Sequence, residues 1–302
     1  MQSAPLGTTG LDVTRIVAGA PRAPLPVARG VDALGEAWDQ VGVRAVDVTD
    51  LAAEGETAAE RFLQERQPDD AVVLAGLGGT AGPERGADHS PARISRALEA
   101  ASRRLGRVDL GWLAGADAAT PLPETLALLA SAIEDGRLRA WGAAGVDVWR
   151  LEALLTAADR EGVPRPAFVR NRMNLLERGD ERDLMPLAVG EGLGVLPRNP
   201  FASGRLTDRH VAAEEAAERA AAAGAPRTTA TDPALPALLV LRDLARDRDT
   251  STAALALAWL AGHASDPRPV VAATSQAVWE TVHAALELDV DDELRERMSS
   301  VR

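Results

Sequence analysis

Few side chains in this 302-residue sequence could do acid–base or charge chemistry inside a pocket, and they fall into three groups. The first is acidic. In GVRAVDVTD, Asp47 and Thr49 stand two residues apart, so an extended chain puts them on one side, with Asp50 just beyond. A carboxylate held there is a general acid or base, or else a structural acceptor for loop amides or an arginine. The second group is cationic. Arg170, Arg172 and Asn174 alternate in AFVRNRMN, Arg198 ends LGVLPR, and Arg22 follows RIVAGA. Arginines that face a shared interior must be paired, because an uncompensated buried charge is very costly. They therefore bind an anionic ligand (carboxylate, phosphate or enolate) or form internal pairs with Asp47, Asp50 or other acids. The third group is His89 and His210, which fall in candidate loops after the third and seventh strands. They are the residues able to move protons near neutral pH, unless they are exposed loop decoration. Trp112 and Trp141 either pack the core or wall a pocket for a flat apolar ligand.

Absences narrow the chemistry further. The chain has no cysteine and no tyrosine, and all 33 of its basic residues are arginine. No mechanism here can use a thiol, a tyrosine acid, a lysine base or a lysine Schiff base. No H-x-H or H-E-x-x-H spacing occurs, so no metal is expected. A net charge of −12 argues against nucleic acid as a partner, and no run of 18 apolar residues predicts a membrane span. The N-terminal stretch lacks a basic region followed by an apolar run, so the expected compartment is the cytoplasm. The bias towards Ala, Arg and Gly fits a high-GC bacterial genome.

These residues need a scaffold, and the periodicity supplies one. Strands are predicted at 15–20, 44–49, 71–76, 108–114, 138–144, 167–172, 193–198 and 269–274, with helical patterns between them. SPARISRALEAASRRLG carries Ser90 as N-cap, Pro91 at the first helical position and Gly106 after the last turn. PETLALLASAIEDG and STAALALAWLAGH show helical apolar spacing. Eight strands alternating with helices predict an α/β fold, a single (β/α)8 TIM barrel spanning 1–302, over a doubly wound sheet that would need a glycine-rich fingerprint. Residues 4–14 are expected to form an N-terminal β-hairpin, and Asp208–Pro236 a mobile surface loop.

In this order the segments resemble the aldo/keto reductase superfamily over nearly the whole chain. The resemblance rests on PLGTTGLDVTRI, ARISRALEAASRRLGRVDL, EDGRLRAWGAAG and, most specifically, NLLERGDERDLMPLAVGEGLGVLPRNPFASGRLT. It implies a barrel whose site lies at the C-terminal ends of the strands, and hydride exchange between NADPH and a carbonyl, assisted by Asp, Tyr, Lys and His. Carried over by position, Asp47 matches the aspartate, while the tyrosine, lysine and histidine positions hold Ala52, Leu77 and Ala114. Losing the tyrosine acid alone would slow the usual reduction roughly 10²–10⁴-fold. The Ser-Asn pair that holds the nicotinamide amide reads Ala144 and Gly145. The glutamine of strand six reads Arg170, and the stacking aromatic reads Arg198. The phosphate-binding segment reads VVAATS, leaving Thr274 and Ser275 as the cofactor contacts if a nucleotide binds.

Three functions follow as expectations. The first is a repurposed barrel with no cofactor, in which Asp47 is the acid/base and the arginines stabilise charge. It would cyclise, isomerise or dehydrate a small, anionic organic substrate, in bacterial specialised metabolism. The second keeps NAD(P)H-dependent carbonyl reduction, with water, His89 or His210 giving the proton. The third is a pseudoenzyme that binds a ligand or a protein partner.

Overall fold

The computed structural model describes residues 2–19, 26–48, 57–78, 87–222, 232–272 and 274–300. Arg22, Thr49, Asp50 and Ala52 lie outside them. Strands β1 (Ser3–Pro5) and β2 (Asp12–Thr14) pair antiparallel around a turn at 7–10, as the glycines there predict. Eight strands follow in a single parallel sheet. They are β3 (Val17–Gly19), β4 (Ala45–Val48), β5 (Val72–Gly78), β6 (Leu110–Ala114), β7 (Ala140–Ala144), β8 (Phe168–Arg170), β9 (Gly194–Val195) and β10 (Val270–Ala272). Each falls within two residues of a predicted strand. Neighbours pair in chain order, and β10 lies against β3. The sheet then closes on itself. Arg198 bridges to Val270, and the N–H groups of Arg268 and Val270 donate to the carbonyls of Val195 and Pro197 at 2.8 and 2.7 Å. This is a (β/α)8 barrel with an N-terminal hairpin.

The helices are α1 (Val27–Glu36), α2 (Ala58–Arg66), α3 (Pro91–Leu105), α4 (Leu122–Glu134), α5 (Val148–Glu161), α6 (Leu184–Gly190), α7 (Asp208–Ala222), α8 (Leu235–Asp247), α9 (Thr252–Ala261), α10 (Gln276–Glu287) and α11 (Asp292–Ser299). The caps of α3 are the predicted ones: Ser90 accepts from the Arg93 N–H, and Gly106 takes φ of 77°. Two helices differ from expectation. Every residue of α9 is buried, because α8 and α10 cover it from both sides, so its apolar spacing marks no single face. Residues 208–222, expected in a surface loop, form α7, since alanine and glutamate favour helix over loop. Among the described residues no helix is long and apolar enough to cross a membrane.

Period-2 alternation splits the core in two. Outward residues of the strands join the helices in the larger cluster, which includes Trp141 and Leu77. Inward residues, among them Ala45, Leu74, Leu110, Trp112, Phe168 and Leu196, fill the lumen. Leu6 and Val13 of the hairpin join them, flooring the barrel. Gly7 lets the hairpin approach: at φ of +50°, an added Cβ would fall 2.1 Å from the Gly194 nitrogen.

Candidate functional site

Among the described residues, the lumen holds the ion pair of Asp47 and Arg170. Asp47 points inward from β4 and is fully buried; Arg170 points inward from the last position of β8 and is 6 % exposed. Nε and Nη2 of Arg170 both donate to Oδ2 of Asp47, the first at 2.9 Å. The two strands lie across the barrel from each other, so this pair spans the interior. Of the two ways to satisfy inward arginines, an internal ion pair is therefore the one Arg170 takes. The Arg170 guanidinium also stacks on the ring of Trp112, with Cζ 4.6 Å from its centroid. Trp112 comes from β6 and is 7 % exposed. Two polar atoms in this cluster have no hydrogen-bond partner among the described residues: Oδ1 of Asp47 and Nε1 of Trp112.

The neighbours of Arg170 along the chain do not share this site, and Arg22 lies outside the described residues. Sequence alternation puts Arg172 and Asn174 beside Arg170, but β8 ends at Arg170 and the side chains no longer follow the strand. Arg172 is exposed and donates to Glu177 at 2.9 Å. Asn174 is buried in a turn, where its amide donates to Glu177 and to the carbonyl of Asn199. Arg198, half-buried, belongs to the closing seam between β9 and β10. Trp141 faces outward and donates to the Pro164 carbonyl at 2.9 Å.

Both histidines are tethered. His89, expected at an exposed loop position, is 4 % exposed and packs against Gly78, where a Cβ would meet its ring at 2.5 Å. Its Nε2 lies 3.1 Å from the carbonyl of Ala114, so that nitrogen carries the hydrogen. Its backbone donates to Asp117 and accepts from Thr125 on α4. Burial pushes its pKa below the ordinary histidine value, against the opposing pull of the Ala114 carbonyl. His210, in the first turn of α7, has Nε2 2.9 Å from Oδ2 of Asp232. Asp232 also accepts from Arg205 through both oxygens and from the N–H of Ala234. The Arg205 bonds hold its carboxyl far below the usual range, although burial works the other way.

Thr274 and Ser275 precede α10, and the Ser275 hydroxyl makes no capping bond. The next turns of α10 line a groove of about 710 Å³ with Ala277, Glu280 and Thr281 on one wall; Asp208, Arg246 and Ser251 also line it. Sequence reading missed this groove, Asp232 and Asn171. Asn171 accepts from the Val146 N–H and donates to its carbonyl, fixing the turn after β7. Its position between two arginines of an alternating run disguised it as an outward strand residue. Asp232 lies in a Thr- and Pro-rich stretch that carries no periodic signal.

Comparison with known proteins bears on the chemistry. A model of the Aldo/keto reductase family matches residues 21–302. The versiconal hemiacetal acetate reductase of Aspergillus parasiticus is 28 % identical over 179 residues, 57 % of this chain and 51 % of that protein. The mouse protein named aflatoxin B1 aldehyde reductase member 2 is 30 % identical over 43 % of this chain and 36 % of its own. A rice protein named "Probable voltage-gated potassium channel subunit beta" is 27 % identical over 91 % of this chain and 88 % of its own length. The chain thus spans about half or less of the two reductases. These similarities overturn the expectation of a cyclase, isomerase or dehydratase that uses no nucleotide, since the family and its named enzymes are reductases. That expectation weighed the absence of any tyrosine or lysine above the rest of the chain. With the family match running to the C-terminus and the barrel closed as the resemblance implied, this chain belongs to the aldo/keto reductase family.

Proposed function

We propose that this protein is a nicotinamide-nucleotide-dependent oxidoreductase acting on a carbonyl–alcohol couple, with its chemistry at the Asp47–Arg170 pair. The observation that carries this reading is a buried Asp–cation pair inside a barrel of a reductase family. The resemblance places the family's cation on β5, where this chain has Leu77 facing the outer core. Here the cation comes from β8 instead. The family's charge arrangement is kept with a different strand supplying the positive partner.

The groove beside α10 suits the outer part of a nucleotide. It is an open groove: Ser251, Thr281 and Glu280 offer hydroxyls and a carboxylate to a ribose, and Arg246 is its cation for a phosphate, beside the carboxylates of Asp208 and Asp249. Thr274 and Ser275 are the contacts expected at its edge. The inner end differs from the family pattern. Ala144 and Gly145 bring no side-chain amide, and the Asn171 amide is committed to Val146. When bound, the nucleotide supplies or accepts hydride. The chain's own part is to exclude water, orient the carbonyl and stabilise charge on its oxygen. Arg170 does this electrostatically, because a guanidinium keeps its proton at any working pH. His89 and His210 are poor sources of the completing proton, being bound to Ala114 and Asp232. Water is the donor this arrangement favours.

The experiment is titration of the purified protein with NADH and NADPH by calorimetry, followed by an aldehyde and ketone screen at 340 nm. Micromolar binding with slow oxidation of the nucleotide by at least one aldehyde is the expected result. Absence of binding at millimolar nucleotide would overturn the reading.

A further inference from the structure

Among the described residues, the buried side-chain atoms without partners are Asp47 Oδ1, Glu60 Oε1, Trp112 Nε1, Arg150 Nε, Arg268 Nε and Trp279 Nε1. Three belong to helices (Glu60 on α2, Arg150 on α5, Trp279 on α10) and one to Arg268, just before β10. The other two, Asp47 Oδ1 and Trp112 Nε1, belong to the two residues that Arg170 touches. A buried donor left unmet costs about 1–3 kcal/mol, so its persistence beside a charged pair asks what acceptor completes it. None of the described residues supplies one. A carbonyl oxygen would.

We propose that the Trp112 indole N–H, backed by the Arg170 guanidinium on its ring, is the hydrogen-bond donor to the substrate carbonyl, taking over at the oxygen from the tyrosine this chain lacks. Trp112 would then be a catalytic residue in contact with the reacting group. The assignment rests on the carbonyl-reduction reading above. Position supports it: Trp112 projects into the lumen from β6, two residues before that strand's end at the mouth. Charge supports it as well. A cation over the indole face draws electron density from the ring and makes the N–H a stronger donor. In the reaction, the carbonyl carbon gains a C–H bond from hydride as the C–O π bond breaks. The freed electron pair moves to oxygen, where Trp112 donates to the growing charge. A water molecule then protonates that oxygen, leaving hydroxide to the solvent. The nucleotide is oxidised and the carbonyl reduced, so electrons balance. An indole holds on to its proton in water, and Trp112 donates a hydrogen bond without giving the proton up.

The test reads carbonyl polarisation directly and needs no turnover. 4-Dimethylaminocinnamaldehyde absorbs at longer wavelength when its aldehyde oxygen accepts a strong hydrogen bond. The expected result is a red shift on binding to the wild-type protein, absent in Trp112→Phe and partly restored in Trp112→His, which returns a ring N–H. A ¹⁵N-labelled wild-type sample gives a second measurement free of any folding defect in the variants. The Trp112 indole proton should move downfield when the probe is added. Equal red shifts in wild type and Trp112→Phe, no shift or no probe binding in wild type, or an unmoved indole proton would each overturn the assignment. If the nucleotide is never oxidised but the red shift depends on Trp112, the reductase reading fails and the donor assignment stands. Where turnover is present, Trp112→Phe should lower kcat roughly 10²–10³-fold with little change in KM, as removal of an oxyanion donor does.

Discussion

Asp47 and Asp232 are both carboxylates sequestered from water, and an arginine grips each. At the rim, Asp232 uses both oxygens: Arg205 bonds to each, His210 and the Ala234 N–H add two more contacts, and nothing is left over. In the lumen, Arg170 places both of its bonds on one oxygen of Asp47, and among the described residues the other oxygen has no partner. The rim cluster is finished by the protein and acts as a clasp where the chain enters α7 and α8. The lumen pair is left incomplete, and its arginine lies on an indole that is incomplete too. A buried polar group that the fold does not satisfy calls for an explanation, and for two such groups around one inward arginine a bound molecule is that explanation. Similar ion pairs therefore carry different meanings, and the hydrogen-bond count separates them.

That contrast can be broken in several ways. The largest effect is expected from Arg170→Met, which leaves Asp47 buried and unpaired. It should cost about 3–5 kcal/mol of stability, and the double variant Asp47→Leu/Arg170→Met should regain most of that. Urea unfolding of the wild type and the two variants decides it. A loss under 1 kcal/mol for the single variant would mean that the pair is solvated. Asp232→Ala should cost about 1–3 kcal/mol, as a lost charged hydrogen-bond acceptor does. Because its folded pKa is depressed, the wild-type contribution is whole above the ordinary aspartate range and is lost as pH falls through that range and below it. The gap between wild type and Asp232→Ala should therefore close in acid. The smallest effect concerns His89. Its folded pKa is lowered by burial, so the unfolded chain binds the proton first. Stability should be full above the ordinary histidine pKa and decline as pH falls below it. In His89→Gln this slope should flatten between pH 7 and 5, and an unchanged slope would place the titration elsewhere.

The eight strands were legible because each is a short apolar run between turn signals, and closure of the barrel followed from their number. Asp47 as an inward carboxylate was legible too, since strand periodicity fixes its side. Three things were not. The end of β8 at Arg170 depends on a turn built by Asn174 and Glu177, which period-2 counting cannot see. The burial of His89 depends on Gly78 and the Ala114 carbonyl, both distant in sequence. The redox chemistry of the family stood only as the second of three expectations, because the chain has no tyrosine and no lysine to announce it.

The closure of the barrel has a kinetic side. Strand β9 has only two residues, and its contact with β10 is carried by one bridge and the N–H groups of Arg268 and Val270. Farther round the barrel, where β6 meets β7, five residues pair with five. In native-state hydrogen exchange the amides of Arg268 and Val270 should therefore trade with solvent well before those of β6 and β7. A cylinder whose staves differ so much in length breathes along its shortest one. That seam is the first place from which unfolding would spread.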